Sequence, residues 1–448
     1  MILGWGDECG TIILKNEHKT NKKSEINSFC LTSLSEGRNV LLMPQFALVT
    51  PRRMLSFVAA LSFFLFPFQS IAEWSEHGEA FAVNQIVATQ AIGGPYQFTD
   101  EHYLLEVARG IEEMGSNLIK FSLHGRRYTQ RPYRLPRVRG VSSMKDLLTK
   151  HPVFIELMEM DFRFYHIWAK AHVQVNWKNG VSRAEGRALY REFYEFTEYL
   201  LREYKGTGKV FFLGHWEGDW LLTDTNPNID PTPERIRGFA QYLNIRQAAI
   251  TAAREANPDQ DVWVYHYTEV NQVWKGIEGE RATLTNSVLP LVDVDYVSYS
   301  SYDVIHKPNM REALFKALDH IESQLKPRDD IKGKRVFVGE YAIKAASVNH
   351  DPVEHDRRNR EVTAAILEWG CPFAIYWQYY CNEPLRDASG YEGYWLVDDQ
   401  QNKVPLYHTF QNYYAGLSDF VTSAIQETGD PPSAERVREH ALEYFQAD

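Results

Sequence analysis

The sequence predicts an α/β fold, a (β/α)8 TIM barrel occupying one domain, and three observations carry that expectation. Short apolar runs alternate with longer amphipathic ones at intervals of roughly 30 to 50 residues, the spacing of a strand–helix unit. Eight such runs can be counted between Ala82 and Tyr379. No Gly-x-Gly-x-x-Gly or Walker loop follows any of them, which removes the phosphate-binding rationale for a doubly wound open sheet.

Taken in order, Ala82 to Gln90 reads as the first strand, and Asp100 to Met114 as a helix with acidic residues at its start and Gly115 after it. Asn117 to Leu123 is the second strand, ending at His124, and the Arg- and Pro-rich stretch from 125 to 150 is a long loop. A helix is expected around Val153 to Tyr165, with the third strand at Ala171 to Asn176. Ser182 to Tyr204 repeats its apolar residues (Leu189, Phe193, Phe196, Leu200) with a helical period and leads into a fourth strand that ends at Glu217. The helix Glu234 to Ala256, the strands Asp261 to Thr268 and Asp295 to Ser300, and the helix Met310 to Leu325 come next. The seventh strand ends at Glu340, His355 to Glu368 is helical, and Pro372 to Tyr379 is the eighth strand. Beyond the Pro-Pro break after Gly429, Ser433 to Phe445 is amphipathic and suits a short helix in a tail spanning 419–448.

Composition narrows the classes of function. An apolar content of 44% is ample for a large core, while a net charge of −11 and a pI near 5.8, with no long basic run, argue against a nucleic-acid partner. An aromatic content of 13% suits a core and would equally suit stacking on sugar rings. Leu55 to Phe68 is uncharged and apolar but short for a bilayer span, follows Arg52-Arg53, and precedes Ser70-Ile71-Ala72. That pattern is a secretory signal over 43–72 cleaved after Ala72, predicting a secreted or periplasmic protein with no stable membrane span once cleaved. Residues 1–42, polar and aperiodic, then precede the natural start at Met43, and Cys9 and Cys30 go with them. The domain proper is 73–418. Its Cys371 and Cys381 flank a strand and lie too far apart for a disulfide.

The informative chemistry lies in two runs, Lys209-Val-Phe-Phe-Leu-Gly-His-Trp-Glu217 and Lys334-Arg-Val-Phe-Val-Gly-Glu340. Each delivers a carboxyl to the C-terminal end of a strand, where parallel barrels carry their chemistry. Two facing carboxyls suit cleavage of a glycosidic bond, one protonating the leaving oxygen while the other attacks the anomeric carbon or activates water. A single strand-end glutamate is more often a cap or a surface residue; the pair, followed one unit later by Pro372-Phe-Ala-Ile-Tyr-Trp377, is what points to catalysis.

On those residues the chain resembles the retaining glycoside hydrolases built on (β/α)8 barrels, often called clan A, over roughly residues 80 to 418. The resemblance implies Glu217 as acid/base at strand four, Glu340 as nucleophile at strand seven and Trp377 as the floor of the −1 subsite. The family usually has Asn directly before the acid/base; here Trp216 stands there, after His215. Trp216 and Trp220 would raise the Glu217 pKa, and Tyr299 and Tyr302 are candidate donors to Glu340. His124, His215 and His266 sit at expected strand ends and could bind sugar hydroxyls. Trp220, Trp274, Tyr379, Tyr380 and Trp395 would line an open groove for an oligo- or polysaccharide.

Two other classes stay open. The strand-end histidines His124, His172, His215 and His266, with Asp303 or Glu269, could serve a metal-dependent hydrolase, although no His-x-His or His-Glu-x-x-His spacing occurs. A barrel that binds glycans without cleaving them is the third. The glycosidase expectation needs no metal or cofactor.

Overall fold

The structure is a computed structural model that describes residues 82–226, 228–258, 260–279 and 281–447. The expected signal segment, the residues before it, Cys9 and Cys30 lie outside that range.

Eight parallel strands close into a barrel in sequence order, each hydrogen-bonded to the next and the eighth back to the first. They are β1 (Val87–Ala91), β2 (Leu118–His124), β3 (Phe164–Lys170), β4 (Val210–Gly214), β5 (Trp263–Val270), β6 (Tyr296–Ser300), β7 (Val336–Tyr341) and β8 (Ala374–Tyr376). The helices α1 (Tyr103–Glu113), α2 (Met144–Lys150), α3 (Pro152–Glu159), α4 (Arg183–Glu203), α5 (Gly218–Thr223) and α6 (Pro233–Ala256) belong to the first half. In the second half are α7 (Val273–Ile277), α8 (Leu284–Ser287), α9 (Met310–Ser323), α10 (Pro352–Trp369), α11 (Pro405–Thr428) and α12 (Ala434–Gln446).

Local sequence sets the helix ends. Ser182 and Glu185 form a reciprocal capping box at the start of α4, and Thr232 followed by Pro233 starts α6. Asp351 accepts from the first-turn amides of α10, which stops at Gly370 in the left-handed region (φ 94°).

The third unit departs from expectation. The strand is Phe164–Lys170, not 171–176, and the helix before it stops at Glu159. From Phe154 to Tyr165 the apolar residues are interleaved with Glu156, Glu159, Asp161 and Arg163, a spacing that changes from helical to alternating with no Gly or Pro to mark the change, so the helical and extended periods run into one another there. The Val173 and Val175 alternation belongs to a loop. At the other end, α12 packs on the barrel's outer helices, with Phe445 against Phe410 and Tyr413 at 6.1 and 5.1 Å between ring centroids.

Inside the barrel, alternate residues of each strand point inward and stack in layers. The lower part is aromatic: His166 lies flat on Phe212, 4.4 Å between centroids, with Phe337 and Phe373 edge-on to it. Above it the filling turns polar. Lys120, Trp168, Glu269 and Ser298 meet there, all buried. The barrel therefore carries a charged floor directly below its C-terminal mouth.

Candidate active site

Strand alternation decides which side chains reach this floor. On β5, Tyr265, Tyr267 and Glu269 point inward and His266 and Thr268 outward, as their partners show. Glu269 is a hub. Its Oε2 accepts from Lys120 Nζ (3.1 Å), Ser298 Oγ (3.0 Å) and Trp168 Nε1 (3.3 Å), and its Oε1 accepts the Glu217 backbone N–H at 3.1 Å. Lys120 also donates to Glu340 Oε1 (3.3 Å) and to the Gly339 carbonyl (2.9 Å), and its ammonium lies 4.6 Å from the centre of the Trp168 ring. Gly339 is required here, because a Cβ at that position would fall 1.9 Å from Ser298 Oγ and block the path of that hydroxyl to Glu269.

Glu217 and Glu340 come together at the mouth. Glu340 is on β7 and Glu217 follows β4 by three residues, at the N-terminus of α5; both are buried. Burial pushes Glu217 well above the usual carboxylate range, and the charges of Glu340 and then Glu269 push it further. Burial also raises Glu340, to about 8, with Lys120 the strongest opposing influence. The proton therefore stays longer on Glu217, and Glu340, held by the ammonium, is the one that ionises first.

Other expected site residues divide into two groups. Trp377 follows β8, and its Nε1 donates to Glu383 Oε1 at 3.3 Å while its ring lies 6.2 Å from that of Trp168. Tyr302 lies beside both glutamates, whose charges help to raise its pKa, and among the described residues its buried hydroxyl has no hydrogen-bond partner. His124 ends β2, its Nδ1 accepting the Arg127 N–H at 3.0 Å; burial lowers its pKa to about 3, so the ring is neutral. Trp216 and Trp220 are half-buried around Glu217 in sequence, and burial together with neighbouring carboxylates accounts for the raised acid.

The remaining three are placed elsewhere. His266 is buried outside the barrel wall, with Nδ1 3.1 Å from Gln247 Oε1 of α6. Both nitrogens of His215 are engaged, Nδ1 with the Trp216 carbonyl (2.8 Å) and Nε2 with Thr268 Oγ1 (2.6 Å), which fixes the bend that presents Glu217. Tyr299 points away from Glu340, its hydroxyl on Asp303. Asp303 also takes the Trp274 N–H at 2.8 Å, and Asp219 accepts three backbone amides from the loops after β5, so both acids hold loops. Tyr379 and Tyr380 are core residues, Tyr380 donating to Glu106 at 2.8 Å.

No group of three or more His, Cys, Asp or Glu among the described residues is arranged to hold a metal ion. Glu269, a candidate oxygen ligand, is committed to the ammonium, and His266 faces away. Cys371 and Cys381 are buried and unbridged, and no described helix is long and apolar enough to cross a membrane.

Sequence reasoning did not find the Lys120–Glu269 floor. The signal was present: a lysine inside Leu118-Ile-Lys-Phe and a glutamate inside Tyr267-Thr-Glu-Val, each a charge at an inward position of an otherwise apolar strand.

No protein-family model matches the chain, and no curated protein does. Solved structures similar to it include a family 39 glycoside hydrolase from the gut symbiont Bacteroides cellulosilyticus WH2, at 11% identity and a TM-score of 0.46, covering 76% of this chain and 65% of that one. Another is a GH5 xyloglucan-specific endo-β-1,4-glucanase from a metagenomic library, at 10% identity and a TM-score of 0.44, covering 75% of this chain and 98% of that one. A third is the GH53 catalytic domain of Ignisphaera aggregans, at 15% identity and a TM-score of 0.39, covering 74% of this chain and 96% of that one.

Proposed function

We propose that the chain is a glycoside hydrolase that cleaves O-glycosidic bonds of an oligo- or polysaccharide with Glu217 as acid/base and Glu340 as nucleophile. One observation carries the reading: two buried carboxyls, one just after β4 and one on β7, meet at the C-terminal mouth, one biased towards its protonated form and the other bonded to a buried ammonium. That asymmetry is what the reaction requires.

In the first step Glu217 gives its proton to the glycosidic oxygen as the Glu340 carboxylate bonds to the anomeric carbon and the leaving-group bond breaks. Water, deprotonated by Glu217, then displaces Glu340 and restores the anomeric configuration. Tyr302, with its free hydroxyl, is placed to donate to Glu340 or to the ring oxygen, and Trp377 to form the sugar platform. His124 and Trp220 are the remaining candidates at the rim. Proton NMR of the first anomer released from a defined oligosaccharide tests the mechanism: retention is expected, and inversion would replace the nucleophile with a base. Wild-type protein that cleaves none of a broad panel of aryl glycosides and polysaccharides would overturn the hydrolase reading.

The protein is also proposed to be exported, cleavage after Ala72 leaving Glu73 as the mature N-terminus. Mass spectrometry of protein recovered outside the cytoplasm should find Glu73 first, and an intact Met1 there would refute it.

A further inference from the structure

The Lys120–Glu269 floor does more than fill the barrel. We propose that Glu269 and Lys120 act as a positioning pair that ties the acid/base loop to the nucleophile strand and decides which of Glu217 and Glu340 keeps the proton. The inference rests on the two-carboxylate reading above and extends it to residues that touch the catalytic carboxyl groups from beneath.

The geometry is a continuous chain of bonds across the barrel. The Glu217 amide donates to Glu269 Oε1, Glu269 Oε2 takes Lys120, and Lys120 in turn donates to Glu340 Oε1 and to the carbonyl before it. Strands β4, β5, β2 and β7 are thereby joined through one buried ion cluster. Two neutral donors, Trp168 Nε1 and Ser298 Oγ, fill the remaining approaches to Oε2, so Glu269 keeps a single orientation. A carboxylate held through both oxygens, Oε2 by three donors and Oε1 by the Glu217 amide, is poorly placed to be a third catalytic acid and well placed to be a fixed charge.

The pair acts unequally on the two catalytic groups. Glu217 feels, in decreasing order, the charges of Glu340, Glu269, Lys120 and Asp219. Glu340 feels Lys120 most, then Glu269, with Glu383 beyond them, and the Tyr302 and Tyr267 hydroxyls also face it. The acid is thus governed more by the anion of the pair and the nucleophile more by the cation. One ion pair thus acts with opposite emphasis on two neighbouring carboxyls.

The test is a carbon-13 NMR titration of the glutamate side-chain carboxyls, with Glu217 and Glu340 assigned by substitution to Gln, in wild-type protein and in Glu269→Gln, Lys120→Met and Lys120→Arg. Glu269→Gln should lower both midpoints and Lys120→Met raise both, each by about one unit or more, while Lys120→Arg stays near wild type. Unmoved midpoints, or shifts of the same sign in the two charge-removing variants, overturn the proposal. If a single variant does not fold, the charge-balanced double variant Lys120→Met/Glu269→Gln decides: Glu217 should fall and Glu340 rise, so the gap between them narrows, and an unchanged gap refutes the pair's role. The titration needs no turnover, whereas hydrolysis by the wild type tests the glycosidase reading. Opposite shifts without any hydrolysis would leave the pair standing and remove the glycosidase; hydrolysis with unmoved midpoints would do the reverse.

Discussion

Replacing Lys120 by Met removes the ammonium and keeps most of the side chain's volume, so its cost is almost wholly electrostatic. Lys120 Nζ sits 3.1 Å from one carboxylate oxygen and 3.3 Å from another, with its side chain 1% exposed. At an effective dielectric of about 20, each contact is worth roughly 5 kcal/mol in gross attraction, most of it offset by the desolvation of the ions. What remains on removing one partner of a buried cluster is about 3 to 5 kcal/mol of lost stability, because two carboxylates stay buried without their counter-charge. The loss must depend on pH. Glu340 is raised from 4.5 to about 8 in the folded protein, so the native state binds that proton more tightly than the unfolded chain does. Its contribution to stability is complete below the unfolded value and is lost as pH rises through the folded one. Without Lys120 the folded value climbs further, protonation relieves the repulsion at low pH, and the variant's deficit is larger at pH 8 than at pH 5. Urea unfolding of both proteins at the two pH values measures this, and Lys120→Met/Glu269→Gln should recover at least half of the loss. A deficit under about 1 kcal/mol at pH 8, or one that grows towards pH 5, would refute the assignment of a buried ion cluster.

Glu340→Gln should reduce hydrolysis at least about a thousandfold while leaving the unfolding midpoint within the range of a conservative change; near-normal turnover would remove the nucleophile assignment. Glu217→Ala should retain activity on an aryl glycoside with a good leaving group, and added azide should raise that rate and yield a glycosyl azide; no rescue would point to another acid. The acid limb of the kcat/KM profile should lie well above the ordinary glutamate value near 4.5, because Glu340 must be ionised to attack and burial raises it; a limb at or below 4.5 would show the carboxylate to be solvated. Gly339→Ala should cost about 1 to 3 kcal/mol in urea unfolding by forcing Ser298 Oγ off Glu269, and an unchanged midpoint would mean that the floor can repack.

Much of this architecture was legible because a parallel barrel repeats one unit. Each strand is short, β-branched or aromatic and bounded by polar turns, so β2 and β4 to β7 announce themselves within a few residues. The two strand-end glutamates were legible for the same reason: a charge at the end of a buried run needs a partner or a purpose. The third unit failed where that contrast failed. From Phe154 to Tyr165 the apolar positions fit a helix as well as a strand, and only the closing of the sheet, with β3 paired in register to both β2 and β4, selects Phe164–Lys170. Long helix α11 carries Tyr407, Phe410, Tyr413 and Leu417 on one buried face, a helical apolar period that lies beyond the eight expected strands and is absent from the expected elements.

What a strand-end count cannot supply is the direction of a side chain. His215 and Tyr299 stand near strand termini, whereas His266 lies midway along β5 and not at its end as expected, and each points outward from the barrel, into Thr268, Asp303 and Gln247 respectively. Parity along the strand decides this. Glu269 inward places His266 outward, and Ser298 inward does the same to Tyr299, since neighbours alternate across the wall. Once a single inward residue of a strand is known, the parity of the rest follows, and a lysine and a glutamate at inward positions of different strands become candidates for a buried pair. Lys120 and Glu269 meet that condition 149 residues apart in sequence, at a separation that only closure of the barrel brings to hydrogen-bonding distance. The barrel thus supplies the missing counter-charge for Glu340 from β2, and the chemistry at the mouth depends on a contact that no local motif encodes.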